Sequence, residues 1–199
     1  MPETRYGGAR WLREMQEQVG QWSAENFGSE QPPKFPLIGA GEEMGELTTS
    51  VLKRAQGIDD SDKYQDRVGP DAEQDAVGDI VIYLLDTVYR AEDPEINVAD
   101  GLARVDDSTT SYDHIDDEVD IIRMLYTEYG SLTSKRFYLI DDGAVDDSDN
   151  LDMVEFEVGR VVAVLRRFCE IRGYDFETCV VEAWEEVSGR EWNATIADR

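Results

Sequence analysis

An all-α fold is what this sequence predicts, and three observations predict it. Apolar residues recur with the helical period along nearly every segment, and strand-type alternation is almost absent. The periodic segments begin or end at Gly, Pro or Asn, the residues that suit helix ends. The second half also reads as a worn echo of the first, so helices matching the second, third and fourth are expected again.

The first helix is expected from about Ala9 to Phe27. Trp11, Met15, Val19 and Trp22 lie at helical spacing, and Gly28-Ser29 ends the run. Pro32-Pro33-Lys34-Phe35-Pro36 reads as an extended linker, because proline disfavours helix in the residue before it. A second helix runs from about Gly39 to Gln56 and stops at Gly57. Asp59 to Gly69 is a polar loop. A third helix starts at Pro70, a good first-turn residue, and reaches about Arg90. A short fourth helix starts near Asn97, which can cap it, and carries Val98, Leu102 and Val105.

In the second half, Asp116-Asp117-Glu118-Val119-Asp120-Ile121 can be laid on Glu42-Glu43-Met44-Gly45-Glu46-Leu47. Glu157-Val158-Gly159-Arg160-Val161-Val162 can be laid on Ala76-Val77-Gly78-Asp79-Ile80-Val81. Asp175-Phe176-Glu177 and the helix to Val187 match the Asn97 helix. Helices are therefore expected at about Ile115–Gly130, Leu151–Arg172 and Phe176–Ser188, with an exposed acidic loop from Asp141 to Asp149. No counterpart of the first helix is evident. Two units follow, residues 1–110 and 111–199, the second packing on the first.

The composition excludes some partners. The chain has 199 residues and a net charge of −26, which opposes binding to nucleic-acid backbones and anionic membranes. Of its basic residues only four are Lys (Lys34, Lys53, Lys63, Lys135), against fifteen Arg. Acid excess with scarce Lys resembles proteins of salt-accumulating halophiles, where solvent salt screens the self-repulsion. No apolar run is long enough to span a membrane and no leader is read, so a cytoplasmic protein is expected. Cys169 and Cys179 form no C-x-x-C; a single disulfide is possible but unneeded, and two buried reduced thiols are expected. His114 is expected at the surface.

Carboxylates carry the functional signal. Glu42, Glu43 and Glu46 sit at helical spacing, as do Asp75 and Asp79 thirty residues on. Acids are so frequent that such spacing arises by chance roughly twice in a chain of this kind. The context adds weight. Val77, Ile80, Val81, Leu84 and Val88 form one apolar stripe of the third helix, and Ile82 and Tyr83 flank its opposite, Asp75-Asp79-Asp86 side. A carboxylate ridge on a helix buried along both flanks needs a partner or a cation. Carboxylates without Cys or His point to a hard cation, Mg²⁺ or Mn²⁺. The second helix fits a solvated face equally well on its own. No phosphate-binding glycine loop, nucleophile elbow or zinc pattern appears.

At these residues the chain resembles the all-α nucleotide pyrophosphohydrolases, the superfamily of MazG-type enzymes, dimeric dUTPase-like enzymes and phosphoribosyl-ATP pyrophosphatase. Their pattern is E-E-x-x-E on one helix and E-x-x-D on the next. Glu42, Glu43 and Glu46 match the first part and Asp79 the final Asp, over roughly residues 8 to 106. The Glu of E-x-x-D falls on Ala76; Asp75 or Glu73 could substitute, which leaves the number of metals open. In the second copy Arg160 stands where the Asp should be. It could face a phosphate or pair with Asp116, Asp117 and Asp120.

The resemblance implies a helical bundle of that type with a degenerate second copy, and Mg²⁺-dependent hydrolysis of a nucleoside triphosphate to monophosphate and pyrophosphate. It implies Glu43, Glu46, Asp75 and Asp79 as metal ligands and Glu42 or Glu43 as the group orienting water. Lys53, with Arg54 or Lys63, would contact phosphate, and Trp11, Trp22 or Phe35 would stack on the base. It leaves a homodimer open. The competing readings are an inactive member of the same fold and a non-enzymatic acidic protein that occupies a basic partner.

Overall fold

The computed structural model describes residues 7–58, 68–91, 96–108, 111–135 and 148–190. The described residues form seven helices and no strand. These are α1 (Gly7–Phe27), α2 (Lys34–Ala55), α3 (Pro70–Tyr89), α4 (Val98–Asp107), α5 (Glu118–Lys135), α6 (Ser148–Arg172) and α7 (Phe176–Ser188). None of them is long and apolar enough to cross a membrane.

One core runs through all seven helices. Val77, Ile80, Val81, Leu84 and Val88, the expected stripe of α3, are fully buried, and Ile82 is buried as well. Such a helix, apolar on more than one side, belongs at the centre of a bundle. The α2 helix packs along α3, α5 packs along α6, and the later helices cross over. Helix α7 packs on α3, whereas α4 packs on α6. Gly78 and Gly159 permit these crossings. A methyl group on Gly78 would strike the Cys179 carbonyl and Ala183 of α7, and one on Gly159 would strike the backbone of Gly101 and Leu102 in α4.

Capping follows the sequence. The Asn97 side chain accepts from the Asp100 N–H at 2.8 Å, and that of Asp175 from the Thr178 N–H at 2.8 Å. Helix α1 clamps the start of α4 through buried Gln16, which donates to the Ile96 carbonyl at 3.1 Å and accepts from the Val98 N–H at 3.0 Å.

The expectation of an extended linker at Pro32–Pro36 is overturned. Pro33 has helical dihedrals (φ −61°, ψ −17°), and α2 starts at Lys34, before the expected Gly39. Prolines in a first turn lose no hydrogen bond, because those N–H groups have no acceptor within the helix. Burial of Pro36 and Leu37 outweighs the restriction on Phe35. Helix α5 starts at Glu118 and runs to Lys135, so Asp116 and Asp117 precede it; Asp117 caps it, accepting from the N–H groups of Val119 and Asp120. Of the expected acidic loop, Ser148 and Asp149 belong to α6. Residues 141–147 lie outside the described residues, as does the polar loop except for Val68 and Gly69. Cys169 and Cys179 are buried free thiols, and His114 is exposed.

Candidate functional site

Two helices bring the predicted carboxylates together. On α2, buried Ala40, Met44, Leu47 and Val51 face the core, which turns Glu42, Glu43 and Glu46 toward the edge shared with α3. On α3, Asp75 and Asp79 lie one turn apart opposite the buried stripe. Gly39 fixes the crossing: a methyl group there would lie 2.6 Å from the Tyr83 ring, so Tyr83 packs directly on α2, one turn along α3 from Asp79. Glu43 and Asp79 are half-buried, while Glu42, Glu46 and Asp75 are exposed.

Burial, the charge of Asp79 and then those of Glu46, Glu42 and Asp75 push the Glu43 carboxyl up to about 7. Burial and Asp75 push Asp79 up to about 7, with Arg190 pulling the other way. Burial and Glu186 raise Asp75. Burial, followed by Glu43 and Asp79, raises the Tyr83 hydroxyl. Five carboxylates from two helices thus crowd one edge, and Arg190, from beyond the end of α7, offsets part of the charge at Asp75 and Asp79. A cleft of about 450 Å³ opens beside Asp75, lined by Asp71, Gln74, Cys179, Glu182 and Glu186.

The other expected residues have different surroundings. Asp86 does not join the ridge. It accepts from Ser23 at 2.7 Å and pairs with Arg90 at 2.9 Å, and Arg90 also donates to the Gly28 and Gln31 carbonyls. This buried knot ties α1 to the end of α3. Glu73, fully buried, accepts from Ser50 (2.9 Å), Tyr174 (2.8 Å) and Arg172 (3.0 Å) and pairs with Arg54. Burial pushes Glu73 up, but these hydrogen bonds and the Arg54 charge outweigh it and hold the carboxyl below its usual range. Arg54 also pairs with Glu118 at 2.7 Å, so its guanidinium joins α2, α3 and α5. Lys53 is half-buried on the Glu42-Glu46 ridge, and Lys63 lies outside the described residues.

Arg160 does not pair with Asp116, Asp117 or Asp120. It holds Glu128 at 2.7 Å and Glu157 at 3.5 Å, while Asp116 pairs with Arg167 and Asp120 with Arg123. Trp11 packs on Phe176, and Trp22 packs edge-on against Phe27 and Trp184. Phe35 remains exposed (55%), as does Ile38 (69%).

Glu186 and Arg190 are absent from the sequence reading. Their i, i+4 pairing looks like any surface ion pair, and only the packing of α7 on α3 sets them beside Asp75. Among the described residues no group of three or more Asp, Glu, His or Cys is already drawn together as a metal cage. The donor set nevertheless suits a hard dication: all oxygen, on two helices, with mutual repulsion that a cation would relieve. Comparison with protein-family models, curated proteins and solved structures finds no match for this chain.

Proposed function

We propose that the chain is a Mg²⁺-dependent nucleoside triphosphate pyrophosphohydrolase, built as a tandem pseudo-repeat, with its centre on α2 and α3. The observation that carries this reading is the pair Glu43 and Asp79 on facing helices, both pushed up to about 7 by burial and by neighbouring carboxylates, with Arg190 only partly offsetting this at Asp79. Carboxylates perturbed by burial and like charge beside a cleft are the kind of group a functional site is built from. Structural carboxylates elsewhere in this molecule, such as Glu73 and Asp86, have arginine partners.

Glu43, Glu46, Asp75 and Asp79 would hold Mg²⁺, with Mn²⁺ as a substitute. The metal, when bound, supplies neutralisation of the triphosphate and a water of lowered pKa. The residues do the rest. Glu42 sits one position before Glu43 at the exposed mouth and orients the attacking water or accepts its proton. Tyr83, packed on α2 beside Glu43 and Asp79, excludes solvent from one side of the carboxylates. Lys53, two turns beyond Glu46, provides a phosphate contact. Phe35 and Ile38 project from the other end of the same ridge and provide apolar surface for the base.

The reading is tested by screening common and damaged nucleoside triphosphates for pyrophosphate release, with Mg²⁺ and with chelator, in molar KCl. Release that requires metal and is lost in Asp79→Asn is the expected outcome. Metal-independent release would reject the metal-dependent mechanism; no release with any nucleotide would reject the enzyme and favour an inactive member of the same fold or the acidic interaction protein.

A further inference from the structure

The α5–α6 pair meets at a centre that matches the carboxylate centre at several positions. The buried residues Pro36, Leu37, Ala40 and Leu47 of α2 recur at the same spacing as Ile121, Ile122, Leu125 and Leu132 of α5. That register sets Glu128 against Glu43, three turns beyond the alignment suggested by the acidic run at Asp116–Asp120. On the partner helices, Gly78 and Gly159 are each the point where a helix of the other half touches. Gly78 meets Cys179 and Gly159 meets Gly101, and both contacted residues come four positions after their helix cap, Asp175 or Asn97. Asp79 and Arg160, each next to its glycine, therefore occupy equivalent places.

The second centre shows how such a place is completed. Arg160 donates to Glu128 at 2.8 Å, and Tyr112 donates to the same carboxylate at 3.0 Å. Tyr112 comes from just beyond the end of α4, the helix lent by the first half. In the carboxylate centre the residue arriving from just beyond the end of α7 is Arg190. It is exposed and paired with Glu186, which lines the cleft beside Asp75.

We infer that each half lends the other its last helix, and that Arg190 is the cation α7 supplies to the carboxylate centre, where it holds a phosphate oxygen of the metal-bound triphosphate. This rests on the pyrophosphohydrolase reading above. A guanidinium presents a planar fork of N–H donors that fits a phosphate. Its present partner is easily exchanged, because an ion pair in water is weak. Before a nucleotide arrives, the same charge offsets part of the repulsion at Asp75 and Asp79. The second centre needs no such visitor, because Arg160 already supplies its positive charge. One nucleotide per chain follows.

The test measures binding of Mn²⁺ alone, and then of tripolyphosphate with Mn²⁺ present, by calorimetry on the full chain in molar KCl. In Arg190→Gln, Mn²⁺ affinity should equal or exceed that of the wild type, whereas tripolyphosphate affinity should fall about tenfold. Arg190→Lys should recover part of that loss, and Glu186→Gln should cause none. Glu43→Gln should instead weaken Mn²⁺ itself. Equal tripolyphosphate affinity in wild type and Arg190→Gln would overturn the inference and leave the metal reading standing. A wild-type protein that takes up no Mn²⁺ would overturn both.

Discussion

In the α2–α3 pair a glutamate faces an aspartate; in the α5–α6 pair a glutamate faces an arginine. The two pairs differ in burial. Glu128 is 2% exposed, whereas Glu43 is half-buried. A carboxylate as deep as Glu128 is tolerated only beside a fixed cation. Arg160 serves both Glu128 and Glu157, and one oxygen of each stays without a hydrogen bond. The half-buried pair has no such lock. Its cost appears as raised pKa values, and a cation from outside can relieve it. One centre is closed by its own side chain, and the other is left open at the surface.

The sharpest way to break this comparison is to measure stability at both centres. Arg160→Met leaves two buried carboxylates without their cation and should cost about 3–5 kcal/mol in denaturant unfolding. Asp79→Asn removes a repelling charge and should stabilise the metal-free protein, by on the order of 1 kcal/mol after allowing for solvent screening. Losses of the same sign at both positions would end the distinction.

Activity should divide the same way. Asp79→Asn is expected to lower pyrophosphate release at least ~100-fold, about 2.7 kcal/mol of barrier. Glu128→Gln, which keeps its acceptor for Tyr112, should change it less than ~3-fold. Steady-state assays with Mg²⁺ decide. A larger loss in Glu128→Gln would place the site in the wrong half.

The pH dependence sharpens the contrast further. Glu43 and Asp79 have folded pKa values of about 7, raised from 4.5 and 3.8. Between those limits the folded protein binds more protons than the unfolded chain, so stability should rise as pH falls from 8 toward 5 in chelator-containing buffer. Glu73 is depressed, so its contribution is present above about 4.5 and is lost as pH falls below that. Urea unfolding across pH 4–8 should trace a maximum near pH 5, and Asp79→Asn should flatten its upper limb. An unchanged upper limb in that variant would remove Asp79 from the account.

The smallest expected effect concerns the whole surface. A net charge of −26 repels itself more strongly as screening weakens. The melting temperature should rise by several degrees between about 0.1 and 2 M KCl. No change would contradict the halophilic reading.

What the sequence determined by itself is local. The period of Val77, Ile80, Val81, Leu84 and Val88 defines the buried face of α3, because a helix repeats every 3.6 residues wherever it packs. Asn97 and Asp175 cap their helices because a cap needs only the next three residues. The grouping of Glu42, Glu43 and Glu46 with Asp79 was legible for the same reason, once two adjacent helices were assumed. Tertiary structure decided the rest. Asp86 and Glu73 carry the same carboxylate as Asp79, and only long-range partners, Ser23 with Arg90 and Arg54 with Arg172, make them structural. Pro36 enters a helix because burying it beside Leu37 outweighs a local preference. Arg190, paired with Glu186, lies where its charge weighs on Asp75 and Asp79 because α7 crosses onto Gly78. Charge acts through space with no periodic trace along the chain, so the fold alone sets which charges meet.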